Sequence, residues 1–517
     1  MDMKFYIKII IIIPFILIGT IAILIVDTIT YKFNKPPINE NNEVINTIPS
    51  EKAVLRFVGG IRIPTIVNNN VYEETDFKTF DDFIKYLPSV YPEVYRTLEV
   101  DTINKYDLIF RWKGKNNDLK PVLFLSHYDV TPVIGYDFQT ILYDETTFCF
   151  DDNPLPPANY IADKWDYPPF SGAVANGRIY GRGTLDMKSM LFSLMESIDT
   201  LIAEGFQPER DVWLAFWHDE KAKGCQGTFK IANHFKKMGL SFEAIYDKGG
   251  FITGPGTIIK SVERPLALIG TGEKGFLTLK IRVKDPRNNS SSLPNKTSLG
   301  HAAEIIDKLS DNQMQARIIP PITTFLKDIG SEMDFIYRMV IANRCLLKTL
   351  LVNMFEKSIV SNAWVRTNTD ITLEKDDEFY NNLSSVTEIT TNFNILQGDS
   401  VAGVIDHVKK ICKGYDVELV VESAWEPSSI SSENVRGFEI MKDNLAKIYP
   451  EVIVSSCIAR GGTDAYKYQI VSDNIYRFIP VYLNSFEQHA IKSYNEYISL
   501  ENFGKMLWYF KELINSY

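Results

Sequence analysis

A histidine and several carboxylates in this chain have the types and positions of a metal centre. His127 and Asp129 follow Val122 to Leu125, four consecutive apolar residues of the kind expected in a strand covered on both faces of an α/β sheet. An imidazole at such a strand end can bind a cation, and an acid two residues on can orient it through the other ring nitrogen. Two further strands end alike: Asp211 to Trp217 runs into Asp219-Glu220, and Ala244 to Tyr246 into Asp247. Asp186 falls between them in sequence. Each acid alone reads as a solvated loop carboxylate. Their shared position at strand ends, where open parallel sheets place their sites, points to a cation such as zinc.

The elements that must position these groups alternate. Helices are expected to end near Val58 and to cover Asp76 to Leu87, with a strand at Tyr106 to Trp112 and a proline-bearing loop at Ile134 to Lys164. Trp165 to Lys188, dense in Gly, Pro and aromatics, delivers Asp186 to a helix whose apolar face is Met187, Met190, Leu191, Leu194, Met195, Ile198, Leu201 and Ile202; Gly205 stops it. From Gly272 the texture changes. Leu277, Leu279, Ile281 and Val283 alternate with polar residues as in a half-exposed antiparallel strand. A helix at Thr297 to Leu309, strands at Glu388 to Leu396 and Asp416 to Val421, and a helix at Ser400 to Lys413 complete a smaller α+β domain inserted in the first. The doubly wound texture resumes after Ser423, with helices at Asn434 to Tyr449 and Leu500 to Tyr517.

The 517 residues exceed one ordinary core, and the formal net charge of -10 with no basic run argues against a nucleic-acid partner. The five cysteines lack metal-type spacing and form no disulfide framework, with one or two pairs left open. Ile9 to Val26 is an uncharged apolar run that at about 1.5 Å per residue nearly crosses a bilayer core. It reads as a signal anchor, with a cleaved signal peptide as the alternative. Lys4 and Lys8 precede it and Asp27 follows, which places residues 1–8 in the cytosol and the rest in a lumen as a single-pass type II protein. Asp27 to Ser50 reads as a stalk. Sequons at Asn288, Asn289, Asn295 and Asn382 suit a lumenal domain.

The motifs HYDV, WDYPPFSG, GRGTLDMK, HDE, GEKG, GGTDAY and YRFIP resemble, in order and spacing, the zinc exopeptidases that include carboxypeptidase S and the aminoacylases. The resemblance runs from Glu51 to Tyr517. It implies a catalytic domain in two parts (51–271 and 423–517), built on a doubly wound, mostly parallel sheet, around a lid and dimerisation domain (272–422). It also implies peptide or N-acyl amino acid substrates, lid-mediated homodimers and a vacuole-like lumen. One zinc would be held by His127 and Asp247, with Asp186 bridging to a second; Glu220 would be the general base and Asp129 would orient His127.

The second ion's own ligands depart from the family pattern. Lys221 stands where the family has a glutamate after Asp219-Glu220, and Lys492 where it has a histidine; His489 lies three residues earlier as a substitute. Two ammonium groups in place of the second cation would relieve a buried carboxylate cluster and repel zinc, so one zinc is expected rather than two. The substrate positions depart as well: Asn289 replaces a histidine of the lid and Asn394 an arginine that holds a substrate carboxylate, while Gly462 of GGTDAY keeps its place beside an oxyanion. The expected function is a membrane-anchored metallo-carboxypeptidase or amidohydrolase; the alternative is a catalytically impaired relative that binds a ligand in the lumen.

Overall fold

The computed structural model describes residues 3–34, 45–68, 72–133, 165–222, 224–284, 296–357, 359–373, 386–459 and 462–517. The loop 134–164, the asparagines of the four sequons (Asn289 among them) and Cys149 therefore lie outside the described residues. In chain order the strands are β1 (Glu99–Ile103), β2 (Asp107–Trp112), β3 (Val122–His127), β4 (Val174–Ala175), β5 (Arg178–Tyr180), β6 (Val212–Trp217), β7 (Ala244–Thr253), β8 (Leu266–Glu273), β9 (Gly275–Lys284), β10 (Asn368–Leu373), β11 (Val386–Ile395), β12 (Val417–Trp425), β13 (Ile453–Ala459), β14 (Ile475–Leu483) and β15 (Tyr497–Ser499).

Two compact units result. One comprises Pro37–Thr257, Arg264–Glu273 and Ser429–Tyr517. Its eight-stranded sheet has the order β1-β2-β6-β3-β7-β14-β8-β13. The sheet is mixed: β6, β3, β7 and β14 run parallel in succession, as do β8 and β13, while β1-β2, β2-β6 and β14-β8 are antiparallel. The central strands are buried on both faces, which is why they read as continuous apolar runs. Val122 and Phe124 of β3 pack in one core with the helices Lys188–Ala203 and Leu500–Asn515. Leu123 and Leu125 pack on the opposite face with the helix Thr228–Lys237.

The other unit comprises Met1–Pro36, Ile258–Glu263 and Lys274–Ser428. Its antiparallel sheet, β10-β11-β9-β12, presents Leu277, Leu279, Ile281 and Val283 to the helices Ser298–Asp311 and Val401–Ile411. The alternation seen in the sequence is that one-sided burial. Four helices between Pro320 and Val365 were not foreseen. They are short, and three-and-four spacing needs more turns than they have.

The apolar amino-terminal run is helical from Met3 to Thr30. Among the described residues no helix is long and apolar enough to cross a membrane. Within its unit the helix ends in a clamp: Asn343 donates to Leu24 O at 3.1 Å, Arg344 to the Tyr31 hydroxyl at 3.1 Å, and Asn34 to Asp328 Oδ1 at 2.6 Å. The expected stalk is not uniformly loose, since Thr47 lies so close to Gly504 that a Cβ there would sit 1.6 Å from Thr47 O.

Candidate active site

The strand ends deliver His127, Glu220 and Asp247 to one place in the sheet unit, and the turn before the helix Lys188–Ala203 adds Asp186. His127 closes β3 and is fully buried. Its Nδ1 lies 3.1 Å from Asp129 Oδ1 and 3.0 Å from Asp129 O, which orients the ring and turns Nε2 toward Asp186 Oδ1, 3.1 Å away. Asp129 also accepts from the Lys221 backbone N–H at 2.8 Å, so one carboxylate ties the β3 end to the β6 end.

Asp186 is the hub. Its Oδ2 meets Lys221 Nζ at 2.6 Å and Lys492 Nζ at 3.2 Å, and its Oδ1 meets Lys248 Nζ at 2.6 Å. Burial would raise the Asp186 pKa, but Lys221 and Lys248 overcome that and hold it well below the carboxylate range. Lys492 has φ 61, the left-handed region that non-glycine residues seldom adopt, and this turn aims it inward. His489, the possible substitute, is exposed on the short helix Ser485–Ala490.

Lys248 was missed in the sequence. It follows Asp247 directly, and neighbours in a regular strand point to opposite faces. The strand is not regular there. Asp247 pairs with Arg477 and Gly250 with Phe478, so Lys248 and Gly249 are extra residues on β7, and such a bulge re-aims side chains. A Cβ on Gly250 would fall 1.7 Å from Leu268 O, so glycine is required beside the bulge. The Lys248 ammonium lies 2.6 Å from His127 Nε2 and 3.0 Å from Glu220 Oε1. The signal was the string Asp-Lys-Gly-Gly at a strand end.

Glu220 opposes burial with the fields of Lys248, His127 and Lys221, and its pKa is lowered, leaving an ionised carboxylate. Its Oε2 is buried and has no hydrogen-bond partner among the described residues. Neither oxygen of the fully buried Asp247 has one either, and burial with the nearby Glu220 charge pushes that acid up to about 7. Glu496, also missed, supports the hub from below: its Oε1 accepts from the N–H groups of Gly183, Leu185 and Asp186, and its Oε2 from Arg182 at 2.7 Å.

Among the described residues, the ligand-type side chains that crowd within one ion's reach are Asp107, His218 and Asp219, not His127, Asp186 and Asp247. That first group is closed. Both His218 nitrogens are engaged, Nδ1 with Asp107 at 2.6 Å and Nε2 with the Tyr72 hydroxyl at 2.5 Å, and Asp219 accepts from the Gln226 and Gly227 N–H groups. Gly462 is exposed, next to Thr463, whose hydroxyl and N–H bind Glu273. Asn394 belongs to the other unit, on β11 opposite Phe276 and Asn368.

Zinc bonds to imidazole and carboxylate are about 2.0–2.2 Å long. At His127 Nε2 and Asp186 Oδ1 the Lys248 ammonium already stands on both donors, and Asp186 Oδ2 carries two more. An ion bonded to both donors on that side would overlap the Lys248 nitrogen. As arranged, these residues do not fit a bound zinc.

Residues 155–516 match peptidase family M20/M25/M40. The chain is 27% identical over 517 residues to a probable carboxypeptidase S-like protein of Dictyostelium discoideum, covering 98% of this chain and 93% of that one. It is 28% identical over 464 residues to the human N-fatty-acyl-amino acid synthase/hydrolase, covering 89% and 86%. In structure it is similar to an M20 metallo-carboxypeptidase from Sulfolobus solfataricus, with a TM-score of 0.61, 16% identity and coverage of 90% and 99%. It is also similar to a dinuclear metal binding peptidase of the M20 family from Bacillus subtilis, with a TM-score of 0.50, 11% identity and coverage of 90% and 98%. Peptidases of this family are metal-dependent, typically on zinc. With its motifs, its mixed central sheet and its separate antiparallel domain, this chain belongs to the M20/M25/M40 peptidase family.

Proposed function

We propose that the chain hydrolyses the amide bond of peptides or N-acyl amino acids, with Glu220 as general base. The observation that carries this is the Glu220 carboxylate: ionised, buried, with one oxygen 3.0 Å from an ammonium and the other without a hydrogen-bond partner among the described residues. Such an oxygen can take a proton from water as that water bonds to the carbonyl carbon. The C–N bond then breaks, and the proton passes to the leaving nitrogen. Among the three site lysines, Lys492 is the one with its side chain half exposed, and it is the cation that meets the substrate carbonyl. The relatives' printed activities, carboxypeptidase-like and N-fatty-acyl-amino acid hydrolysis, support the same substrate classes. Glu220→Gln tested on a panel of dipeptides and N-acyl amino acids lowers kcat about 10²–10⁴-fold if Glu220 is the base. An undiminished rate removes it from that role.

A second reading is a relative that binds such ligands without turning them over. Lys248 favours it, because its three N–H groups point at His127, Asp186 and Glu220 and leave none for a substrate. Under this reading Glu220→Gln leaves ligand affinity intact and wild type shows no turnover.

The amino-terminal helix is proposed as a membrane anchor with the remainder lumenal. Its support is the uncharged run Ile9 to Val26.

A further inference from the structure

We infer that the centre is built to work or bind without zinc: the ammonium of Lys248, held by His127, Asp186 and Glu220, takes the place of the ion expected between His127 and Asp186, and Lys221 and Lys492 take the place of the second. The inference concerns the same centre as the hydrolase reading. It is tested separately.

Three acceptors converge on Lys248 Nζ, at 2.6 Å from His127 Nε2, 2.6 Å from Asp186 Oδ1 and 3.0 Å from Glu220 Oε1. Those are charge-assisted hydrogen-bond lengths, and the three N–H donors of one ammonium match the three acceptors. His127 Nε2 and Asp186 Oδ1, both acceptors when Nδ1–H faces Asp129, can stand 3.1 Å apart because one cation donates to both. Lys221 and Lys492 close on the opposite oxygen of the same carboxylate. The three ammonium groups offset the charges of Asp129, Asp186 and Glu220 with no ion present, and a dication entering the cluster meets three like charges. The lysine side chains occupy this region from three separate segments: the turn after β6, the bulge in β7 and the left-handed turn at Lys492. A single replaced ligand leaves the remaining donors open to an ion. Here the cations cover the shared carboxylate from both sides.

The experiment is metal content and melting temperature of the purified full chain after incubation with zinc and desalting. No retained zinc, and a melting temperature that zinc does not raise, are expected. One or more zinc ions per chain, lost on His127→Ala, would overturn the inference. In the triple variant Lys221→Glu, Lys248→Ala, Lys492→His, zinc binding is expected to appear and to vanish when His127→Ala is added. A folded triple variant that still rejects zinc counts against the lysines as the cause. If that variant does not fold, wild-type metal content decides alone. Turnover measured in parallel keeps the two readings apart. Hydrolysis that survives a chelator supports both; no hydrolysis and no zinc removes the hydrolase reading and leaves the metal-free centre standing; hydrolysis that requires zinc does the reverse.

Discussion

Lys248 and Asp186 face each other at 2.6 Å inside the sheet unit, with side chains 12% and 7% exposed. The pair joins an acid delivered by a glycine-rich turn to a base delivered by a strand bulge. Breaking a buried pair by removing one partner costs more than the pair contributes, because the other charge stays behind unsolvated. Lys248→Ala should therefore destabilise the fold by about 3–5 kcal/mol in metal-free urea denaturation. An unchanged midpoint would mean that Lys221 and Lys492 already neutralise Asp186.

Glu496 acts one layer further out. Hydrogen bonds to a charged group are worth about 1.5–3 kcal/mol each, and its Oε1 gathers three backbone N–H groups of the Gly183 to Asp186 turn. Glu496→Ala also leaves the buried Arg182 without its carboxylate. The expected loss is about 3–5 kcal/mol, with weakened amide protection at Leu185 and Asp186 in hydrogen exchange. Protection equal to wild type would show that the turn holds without Glu496.

The other unit contains a lysine whose burial sets a pH dependence. Burial depresses the Lys274 pKa to about 7, although its ammonium donates to Arg366 O at 2.6 Å and to Asn368 Oδ1 at 2.5 Å. A folded pKa below the unfolded value of 10.5 means that the unfolded chain binds the extra proton between those limits. Stability from this group thus rises as pH increases from about 7 toward 10.5, and below about 7 its charge is a constant cost. Against Lys274→Met, wild type should gain relative stability over that window in parallel denaturation series. A flat difference would place the Lys274 pKa near its ordinary value.

Glu273 and Arg477 form a pair with side chains at 0% and 1% exposure, the acid on β8 and the base on β14. Glu273 Oε2 also accepts from the Thr463 hydroxyl and N–H. Glu273→Ala should cost about 3–5 kcal/mol and loosen the loop that carries Gly462. Urea denaturation checks the first and proteolytic cleavage near Gly462 the second; a shift under about 1 kcal/mol would mark the pair as nearly neutral.

If the amino-terminal helix anchors the protein, full-length chain expressed in cells should stay with membranes through alkaline carbonate extraction. A chain begun at residue 45 should be released. Release of the full-length chain would remove the anchor from the reading.

The amino-acid sequence by itself determined the alternation of apolar runs, hence strands buried on both faces, and the helix that carries Asp186 toward the sheet. Local pattern carries such information because the periodicity of burial is written residue by residue. It also placed His127, Asp186, Glu220, Lys221 and Lys492 as one group, through motif order. Only the tertiary structure decided that Lys248 belongs with them, since its direction depends on a bulge set by the register of β7 against β14 and by the close approach of Leu268 to Gly250. Glu496 likewise joins the site across 310 residues, a contact no local pattern encodes. The sheet's mixed direction was hidden for the same reason: a buried strand reads alike whichever way its neighbour runs.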